Sequence, residues 1–352
     1  MEITVGNRKI GPGNPVFIIA ELSGNHNQDF NRALEIIDAA IDAGADAIKL
    51  QTYTSDTHTI DSDKDWFKIG KGTLWEGSTI YDLYKTTYTP WEWQPKIKEY
   101  VEKKGKILFS AATDKTSINF LVDMGVPIIK VASFELPDLR LLADIGKTKL
   151  PVILSRGMAT EEEITDAIKV LKLNGTSEII VLHCVSAYPA PASEMNLATI
   201  PDLAKKFGVI SGLSDHTLGI SVPVAATALG ASVIEKHVCL RRADGGSDSA
   251  FSLEPDEFKE MVIAVRSAEA AIGVPTYEIT EREKAHSVFR RSLFVVQDVK
   301  KGEFFTESNI RTIRPGYGIA PKYIDQIIGK QASVNIERGT PVSWELILKE
   351  EN

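Results

Sequence analysis

Two apolar, strand-like segments of this chain each end in a histidine. They read Gly212-Leu213-Ser214-Asp215-His216 and Val233-Ile234-Glu235-Lys236-His237, and a predicted helix over residues 218–229 separates them. Imidazoles at the ends of successive parallel strands could approach each other and hold one divalent metal ion. Histidines that cap helices or lie satisfied in the core are the alternative, and the spacing alone does not exclude it.

Two lysines lie inside segments that are otherwise typical of buried strands, Lys49 in Ala47-Ile48-Lys49-Leu50-Gln51 and Lys130 in Ile129-Lys130-Val131. A buried ammonium group is costly unless a carboxylate or an anionic ligand pairs with it. Hydroxyl groups follow several predicted strands, at Ser133, Ser155, Ser186 and Ser214. The set favours an oxyanion such as phosphate. A structural ion pair for either lysine, and a lysine that forms a Schiff base, are the alternatives.

The composition is that of an ordinary soluble globular protein, with 43% hydrophobic and 25% charged residues among 352. The net charge of −8 argues against a general nucleic-acid-binding protein. Both cysteines, Cys184 and Cys239, lie in apolar segments and are expected to be free thiols. The N-terminus lacks a secretory leader, and no apolar run approaches the ~20 residues that cross a bilayer. We therefore expect a cytoplasmic protein that binds neither membranes nor nucleic acid.

Strand-like and helix-like segments alternate along most of the chain. Strands are predicted at residues 16–22, 47–53, 106–111, 128–133, 151–156, 178–184, 209–215 and 233–238. Helices are predicted at residues 32–43, 91–104, 115–124, 139–146, 161–173, 197–207, 218–229 and 257–272. The strands are continuous apolar runs, as parallel strands buried on both faces should be, so the pattern predicts a (β/α)₈ TIM barrel. A doubly wound sheet is less favoured because no Gly-x-Gly-x-x-Gly turn follows the first strand.

In such a barrel, polar residues at the carboxyl ends of the strands project into the active-site mouth. On the last two strands this rule selects Ser214, Asp215 and His216, and then Glu235, Lys236 and His237. The insertion at residues 54–90 follows the second strand and is expected to cover this face as a lid or substrate wall. His58, within it, is expected to be solvated.

The pattern changes near the C-terminus. We predict a barrel domain over residues 1–272, a linker over residues 273–291, and a small β-rich domain over residues 292–352, where short strands and charged turns dominate.

Several motifs together resemble the nonulosonate (sialic acid) synthases, which condense phosphoenolpyruvate with an N-acylated hexose. They are Ile19-Ala20-Glu21-Leu22-Ser23-Gly24-Asn25-His26, Gly44-Ala45-Asp46-Ala47-Ile48-Lys49-Leu50-Gln51-Thr52, Lys130-Val131-Ala132-Ser133-Phe134-Glu135, Tyr188-Pro189, the two histidine segments, and Arg314-Pro315-Gly316. The C-terminal domain resembles the antifreeze-like (SAF) module of these synthases. Within the family, Ala20-Glu21-Leu22-Ser23-Gly24-Asn25-His26, Gln51-Thr52-Tyr53-Thr54, Ser62-Asp63-Lys64 and Gly72-Thr73-Leu74-Trp75 are most similar to pseudaminic acid synthases.

The resemblance implies a role for each matching residue. It implies that His216 and His237 bind Mn²⁺ or Mg²⁺, with Glu21 close to the metal, and that Glu21 or Glu135 transfers protons. Phosphoenolpyruvate would contact Lys49, Lys130, Ser133, Ser155, Ser186 and Ser214. The sugar would lie near Gln51, Glu135, Tyr188 and Asp248. Arg314 would reach into the barrel of a partner subunit, which makes a domain-swapped homodimer the expected assembly.

Two segments depart from the family pattern. The family usually has Ser or Thr followed by Pro near the end of the third strand, where this chain has Ser110-Ala111-Ala112-Thr113-Asp114. The usual Ser-Thr-Gly after the fifth strand is Ser155-Arg156-Gly157. We predict that Arg156 replaces the lost hydroxyl with a bidentate grip on the phosphate or carboxylate. A surface arginine is the alternative.

Three kinds of function remain open at this point. The first is a metal-dependent synthase that acts on a 2,4-diacetamido-2,4,6-trideoxy hexose; N-acetylneuraminate and legionaminate synthases are its nearest alternatives. The second is a Schiff-base aldolase that uses Lys49 or Lys130. The third is a non-catalytic carbohydrate- or ice-binding protein.

Overall fold

The computed structural model describes residues 1–349. It contains two compact units, Met1–Gly273 and a second that begins at Val274. Residues 350–352 of the predicted C-terminal domain lie outside the described residues. Among the described residues, no helix is both long enough and apolar enough to span a membrane.

The first unit is a closed barrel of parallel strands, which confirms the predicted fold class. A short antiparallel hairpin, β1 (Ile3–Val5) and β2 (Arg8–Ile10), precedes it. The barrel strands are β3 (Phe17–Glu21), β4 (Ala47–Thr52), β5 (Ile107–Ala112), β6 (Ile129–Val131), β7 (Val152–Ser155), β8 (Ile179–Cys184), β9 (Ile210–Asp215) and β10 (Val233–His237). They pair in sequence order, and β10 closes the ring by pairing with β3.

Helices surround the strands and connect them. They are α1 (Phe30–Asp42), α2 (Ser55–His58), α3 (Ile80–Thr87), α4 (Gln94–Lys103), α5 (Lys115–Met124), α6 (Leu139–Lys147), α7 (Glu161–Asn174), α8 (Thr199–Phe207), α9 (Ser221–Ala228) and α10 (Pro255–Ile272). Side-chain caps start several of them; for example, Thr160 accepts a hydrogen bond from the Glu163 amide at the start of α7. Gly175, in the left-handed conformation, ends the same helix.

The apolar core of the first unit forms two clusters, which include Phe17 and Ile18 respectively. Ile3, Val5 and Ile10 of the hairpin belong to the first, together with residues at the amino ends of the strands such as Phe17 and Val233. The hairpin therefore packs at the end of the barrel where the strands begin, which leaves the opposite end for the site.

The second unit has its own core. It contains α11 (Glu281–His286), the antiparallel pair β11 (Ser292–Val295) and β12 (Ile310–Ile313), and the short helix α12 (Ile324–Ile327). Leu293, Val295, Phe305, Ile310 and Ile327 are buried within it. Elsewhere in this unit, described residues pair through isolated β-bridges, such as the bridge between Ala332 and Ile347.

Gly212 gives the first prediction, because strand β9 leaves no room for a side chain there. A Cβ atom at this position would lie 2.4 Å from the Val233 carbonyl oxygen and 2.8 Å from Cδ2 of Leu182. Overpacking of this kind forces backbone shifts, so Gly212→Ala should lower the free energy of unfolding by about 1–3 kcal/mol. Urea unfolding followed by circular dichroism measures this. Gly70→Ala is the control, since nothing lies within 4 Å of its added Cβ; equal stability of both variants would contradict the prediction.

Candidate active site

A cavity of about 220 Å³ lies at the carboxyl ends of the barrel strands. Most of the residues selected from the sequence line it, namely Lys49, Gln51, Lys130, Ser133, Glu135, Ser155, Tyr188, Ser214, His216, His237 and Asp248. Glu21 lies directly beside it, because its side chain is paired with that of Lys49. The barrel thus brings residues from seven of its strands, or from the loops that follow them, to one place.

Strand alternation explains why the two lysines face this cavity. On β4, Lys49 and Gln51 point inward, whereas Ile48 and Leu50 belong to a core cluster. On β6, Lys130 lines the cavity while its neighbours Ile129 and Val131 are core residues. The apolar neighbours of these lysines therefore pack each strand against the core.

Lys49 is held between two carboxylates inside the barrel. Its Nζ lies 2.7 Å from Oε2 of Glu21 and 3.3 Å from Oε1 of Glu235, and both carboxylates are buried. The hydroxyl of Ser214 also donates to Oε1 of Glu235, at 2.9 Å. Burial lowers the pKa of Lys49, but the two carboxylates more than offset this effect and keep the lysine charged. Glu235 was among the strand-end residues that the sequence places at the site, but the family resemblance assigned it no specific role.

The same burial acts differently on the two carboxyl groups. Burial raises the pKa of Glu21 to about 7, with Lys49 opposing the rise. Burial also raises the pKa of Glu235, but Lys130 and Lys49 overcome this effect and hold its pKa below the ordinary value. Glu21 can therefore exchange a proton near neutral pH, while Glu235 remains an anion.

Lys130 has no carboxylate within ion-pair distance among residues 1–349. Its Nζ donates to Oγ of Ser155 at 2.6 Å and to the Val131 carbonyl oxygen at 2.9 Å. Burial lowers its pKa, and the field of Glu235 opposes this. A buried ammonium group that is held by neutral acceptors only is suited to an anionic ligand.

Three serine hydroxyls lie in or beside the cavity that Lys130 also lines. Ser133 and Ser155 line the cavity, and Oγ of Ser186 lies 2.9 Å from Oγ of Ser133. Ser186 is not itself a lining residue and reaches the cavity through Ser133. Gly157, with a φ of 47°, approaches this pair so closely that a Cβ atom would lie 2.3 Å from that of Ser133. Glycine is therefore required for the loop after β7 to close over the serines.

His216 and His237 lie side by side at the ends of β9 and β10, with ring centroids 5.3 Å apart. Nδ1 of His216 donates to the Val185 carbonyl oxygen at 3.1 Å, which leaves its Nε2 lone pair free. Burial lowers the pKa of His216 to about 4, and burial and the neighbouring positive groups lower the pKa of His237. Both rings are therefore neutral at physiological pH, as metal ligation requires.

The residues present fit a divalent metal that takes two protein ligands. Nδ1 of His237 is buried and has no hydrogen-bond partner, and the nearest carboxylate oxygen, Oδ2 of Asp248, is 3.7 Å away. Among residues 1–349 no group of three His, Cys, Asp or Glu side chains forms a closed metal site. Two imidazoles would leave several coordination positions for water and substrate, which is the arrangement of a catalytic rather than a structural site.

Aromatic rings from the insertion form one wall of the cavity. His58 at the end of α2 stacks on Tyr53 with centroids 4.9 Å apart, and its edge contacts Tyr84 of α3 at 4.4 Å. Its Nε2 lies 3.9 Å from Oε1 of Glu135, and only 18% of its side chain is exposed. The prediction that His58 is solvated is wrong, because the insertion folds its polar stretch back against the barrel.

Trp75 completes this wall on the other side. Its ring contacts Tyr188 with centroids 5.7 Å apart, and its Nε1 donates to the Ser247 carbonyl oxygen at 3.0 Å. That hydrogen bond ties the insertion to the loop after β10, which also carries Asp248. Burial raises the pKa of Glu135 and of Asp248, since both carboxyl groups are enclosed by this wall.

Besides Glu21 and Ser186, two residues that were assigned to the site from the sequence, Arg156 and Arg314, do not line the cavity. Nε of Arg156 donates to Nδ1 of His183 at 3.0 Å, and His183 in turn contacts the Met195 carbonyl oxygen. Because Ser155 faces inward, its neighbour Arg156 is directed toward the helix layer, and its contact with phosphoenolpyruvate stays a prediction. Arg314 follows β12 in the second unit, so its proposed contact with a partner barrel also stays a prediction.

Asp215 and Lys236 do not project into the mouth, contrary to the expectation for strand-end polar residues. Each is fully buried on the helix-facing side, where Nζ of Lys236 lies 2.5 Å from Oδ2 of Asp215. The reason is the same alternation that turns their neighbours His216 and His237 inward.

Glu235, selected from the sequence as a strand-end residue, lines the cavity as expected. Several other lining residues were not assigned to the site from the sequence, namely Tyr53, His58, Trp75, Leu83, Tyr84, Thr87, Ala111, Thr113, Ala132, Phe134, Cys184, Ser247 and Phe251. Tyr53 directly follows β4, so its position alone could have identified it. The aromatic residues of the insertion carry no comparable signal, because their place depends on how the insertion folds.

Comparison with known proteins agrees with this geometry. The profile of the NeuB family matches residues 36–277, and that of the SAF domain matches residues 290–348. The pseudaminic acid synthase of Campylobacter jejuni strain 81-176 is 46% identical over 324 residues, which cover 92% of this chain and 94% of that protein. The pseudaminic acid synthase of Helicobacter pylori is 42% identical, with 94% and 97% covered. The crystal structure of the N-acetylneuraminic acid synthetase of Leptospira borgpetersenii is 37% identical, with a TM-score of 0.71 over 81% of this chain and 95% of that one.

The raised pKa of Glu21 gives the second prediction. The folded protein binds a proton at Glu21 up to about pH 7, whereas an unfolded chain releases it near the ordinary value of 4.5. Raising the pH from about 4.5 to about 7 therefore lowers the free energy of unfolding of the wild type. Glu21→Gln lacks the titrating carboxyl group, so its free energy of unfolding should not fall for this reason. The variant should gain stability relative to the wild type between about pH 4.5 and pH 7, as measured by urea unfolding at several pH values. A difference that does not change with pH would show that Glu21 titrates normally.

Proposed function

This chain belongs to the NeuB family, and from that membership we propose that it is a pseudaminic acid synthase. It would condense phosphoenolpyruvate with 2,4-diacetamido-2,4,6-trideoxy-altrose and release pseudaminic acid and phosphate. The observation that carries the proposal is one cavity that joins a buried, carboxylate-free lysine and several hydroxyls to a pair of neutral imidazoles. The identity to two pseudaminic acid synthases supports the choice of sugar.

Phosphoenolpyruvate would bind at the lysine end of the cavity. Lys130 offers an ammonium group that has no carboxylate partner, and Ser133 and Ser155 offer hydroxyl groups in the same cavity. Ser214, whose hydroxyl donates to Glu235, would turn from that carboxylate to donate to the ligand. Lys49 adds a second positive charge that Glu21 and Glu235 already hold in place. A trianionic ligand suits this end because it meets charged and hydroxyl groups that the barrel already holds in place.

His216 and His237 would hold Mn²⁺ or Mg²⁺ at the opposite side. When bound there, the metal would act as a Lewis acid toward the carbonyl oxygen of the open-chain sugar. The protein's part is to orient the two imidazoles, and it does so for His216 through the hydrogen bond to the Val185 carbonyl. Cys184, whose Sγ lies 3.9 Å from Nδ1 of His216, has a thiol pKa that burial raises.

The reaction forms one carbon–carbon bond, and at C2 it replaces the bond to the phosphate oxygen with a bond to the oxygen of water. C3 of the enolpyruvate attacks the sugar aldehyde, whose oxygen takes up a proton. Water then adds at C2, and the bond from C2 to the phosphate oxygen breaks as the ketone forms. Of the two protons that the water loses, one balances the proton taken up by the sugar oxygen and the other leaves with the phosphate. Glu21 is suited to one of these proton transfers because its pKa is about 7. Glu135, whose pKa is also raised by burial, is the alternative donor or acceptor.

The aromatic wall would receive the sugar. Gln51, Tyr188 and Asp248 provide polar contacts, while the rings of Tyr53, His58 and Trp75 present apolar faces to the cavity. A deoxy sugar with two acetamido groups carries three methyl groups, which such faces accommodate better than hydroxyls. The domain limits 1–272, 273–291 and 292–352, and a cytoplasmic location consistent with the free thiols Cys184 and Cys239, belong to the same proposal.

A phosphate-release assay over three sugars gives the third prediction. With phosphoenolpyruvate and Mn²⁺, 2,4-diacetamido-2,4,6-trideoxy-altrose should give a kcat/KM at least about tenfold above that of N-acetylmannosamine or of the legionaminic acid precursor, because each lost polar or methyl contact costs about 1–3 kcal/mol. Chelation should abolish release, and added Mn²⁺ should restore it.

Other results of this assay would identify other activities. Faster release with N-acetylmannosamine or with the legionaminic precursor would reassign the sugar within the family. No release with any of the three would contradict the synthase. Trapping of pyruvate by borohydride on Lys49 or Lys130, insensitive to chelator, would instead identify a Schiff-base aldolase.

A domain-swapped homodimer, with Arg314 reaching the sugar in a partner's barrel, completes the proposal and gives the fourth prediction. Arg314→Ala and Lys130→Met should each lower kcat/KM by about 10²-fold or more, since each removes a charged contact to substrate. Co-expression of the two variants with different affinity tags should yield mixed dimers in which one barrel site receives both intact residues.

Those mixed dimers should recover close to half of the wild-type activity per dimer if Arg314 acts on the partner's barrel. Arg338→Ala, which removes another arginine of the second unit, is the control and should leave activity unchanged. Mixed dimers as inactive as their parents would show that Arg314 does not complete a partner's site.

A further inference from the structure

A single buried ion pair lies directly behind the two histidines. Asp215 immediately precedes His216 and Lys236 immediately precedes His237, and their side chains meet on the helix-facing side of β9 and β10. Neither side chain has any exposed surface. Their Cα atoms are also register partners in the barrel sheet, so the pair joins the two strands at their last rung before the site.

The ammonium group of Lys236 contacts the residues on both sides of His216. It donates to Oδ2 of Asp215 at 2.5 Å and also to the Thr217 carbonyl oxygen. Asp215 in turn accepts from the Thr217 amide at 3.0 Å through Oδ1 and from the Thr217 hydroxyl at 3.1 Å through Oδ2. These hydrogen bonds therefore stabilise the turn that carries His216 and link it to the strand that carries His237.

The residues around this pair are apolar, so packing alone does not explain why two charged side chains lie there. Leu213 and Ile234, one strand repeat earlier on the same faces, belong to an apolar core cluster, as does Val238. Apolar side chains of similar volume often stabilise such a layer as well as, or better than, a buried ion pair, because charges lose their hydration on burial. Apolar contacts are non-directional, whereas the hydrogen bonds from Lys236 to Asp215 and to the Thr217 carbonyl link the two strand ends in a defined direction.

We propose that Asp215 and Lys236 are positioning residues that set the separation and orientation of His216 and His237. They act through the backbone of the two strands and touch neither substrate nor metal. Loosening the pair lets the turn after β9 move relative to the end of β10, so that the two imidazoles no longer present their lone pairs to one ion. The inference rests on the metal site of the proposed function.

Titration of Mn²⁺ into the purified protein, followed by electron paramagnetic resonance, tests the inference. Wild type should bind one ion per chain and show electron spin-echo modulation from imidazole nitrogens. Lys236→Met should raise the Kd for Mn²⁺ about 10–100-fold, the usual effect of removing a residue that orients metal ligands, and should weaken the nitrogen modulation. These measurements need neither substrate nor turnover.

Arg266→Met is the matched control, since it removes a partly buried ion pair from the other end of the barrel. Nη2 of Arg266 lies 3.0 Å from Oδ2 of Asp46, and Arg8 still pairs with Asp46 in the variant. It should lower the thermal midpoint without changing the affinity for Mn²⁺. If Lys236→Met lowers the midpoint in the same way and leaves the Kd and the nitrogen modulation unchanged, the pair is merely structural and the inference is wrong.

A second variant covers the case in which Lys236→Met does not fold. The double variant Asp215→Asn with Lys236→Met removes both charges at similar volume, so no buried carboxylate is left unpaired. It should fold and still show the raised Kd; wild-type affinity in this variant would overturn the inference. Failure of the wild type itself to bind Mn²⁺ would be a different result, because it would remove the metal site from the proposed function and the inference with it.

Discussion

The site depends on charged groups that are buried inside a barrel of parallel strands. A charge taken out of water is tolerated only where an opposite charge or a set of hydrogen bonds replaces its hydration. Lys49 meets this condition through Glu21 and Glu235, whereas Lys130 has only a serine hydroxyl and a carbonyl group. The charge of Lys49 is therefore balanced by carboxylates of the protein itself, whereas the charge of Lys130 is suited to an anionic ligand.

The same network tunes the groups that could move protons. Glu21 and Glu235 lie on either side of one lysine, yet burial raises the pKa of the first to about 7 while two lysines hold that of the second below its ordinary value. The contrast arises from position, because Glu235 feels Lys130 as well as Lys49. Carboxyl groups of the same chemistry are thereby suited to different tasks within one cavity.

Strand alternation distributes the remaining polar residues between two faces. Inward positions on β9 and β10 carry Ser214 and Glu235, and His216 and His237 line the cavity beyond them. Outward positions carry Asp215 and Lys236, which meet in the helix layer. Three consecutive polar residues at the end of a strand therefore serve two different purposes, one in the cavity and one behind it. The insertion adds a third element, since its aromatic rings close the cavity at the side where the strands provide no wall.

The sequence by itself determined the barrel, its strands to within a residue or two, and most of the polar residues that line the cavity. It could do so because buried parallel strands are continuous apolar runs, so that a lysine or histidine within or at the end of one is conspicuous. Only the tertiary structure decided which strand-end residues turn away, as Asp215, Lys236 and Arg156 do, because the alternation that directs side chains holds only as far as each strand continues, and the structure shows where that is. It also decided the place of His58 and Trp75, because an insertion without regular periodicity is positioned by contacts with distant residues, such as the hydrogen bond from Trp75 to Ser247, and not by local pattern.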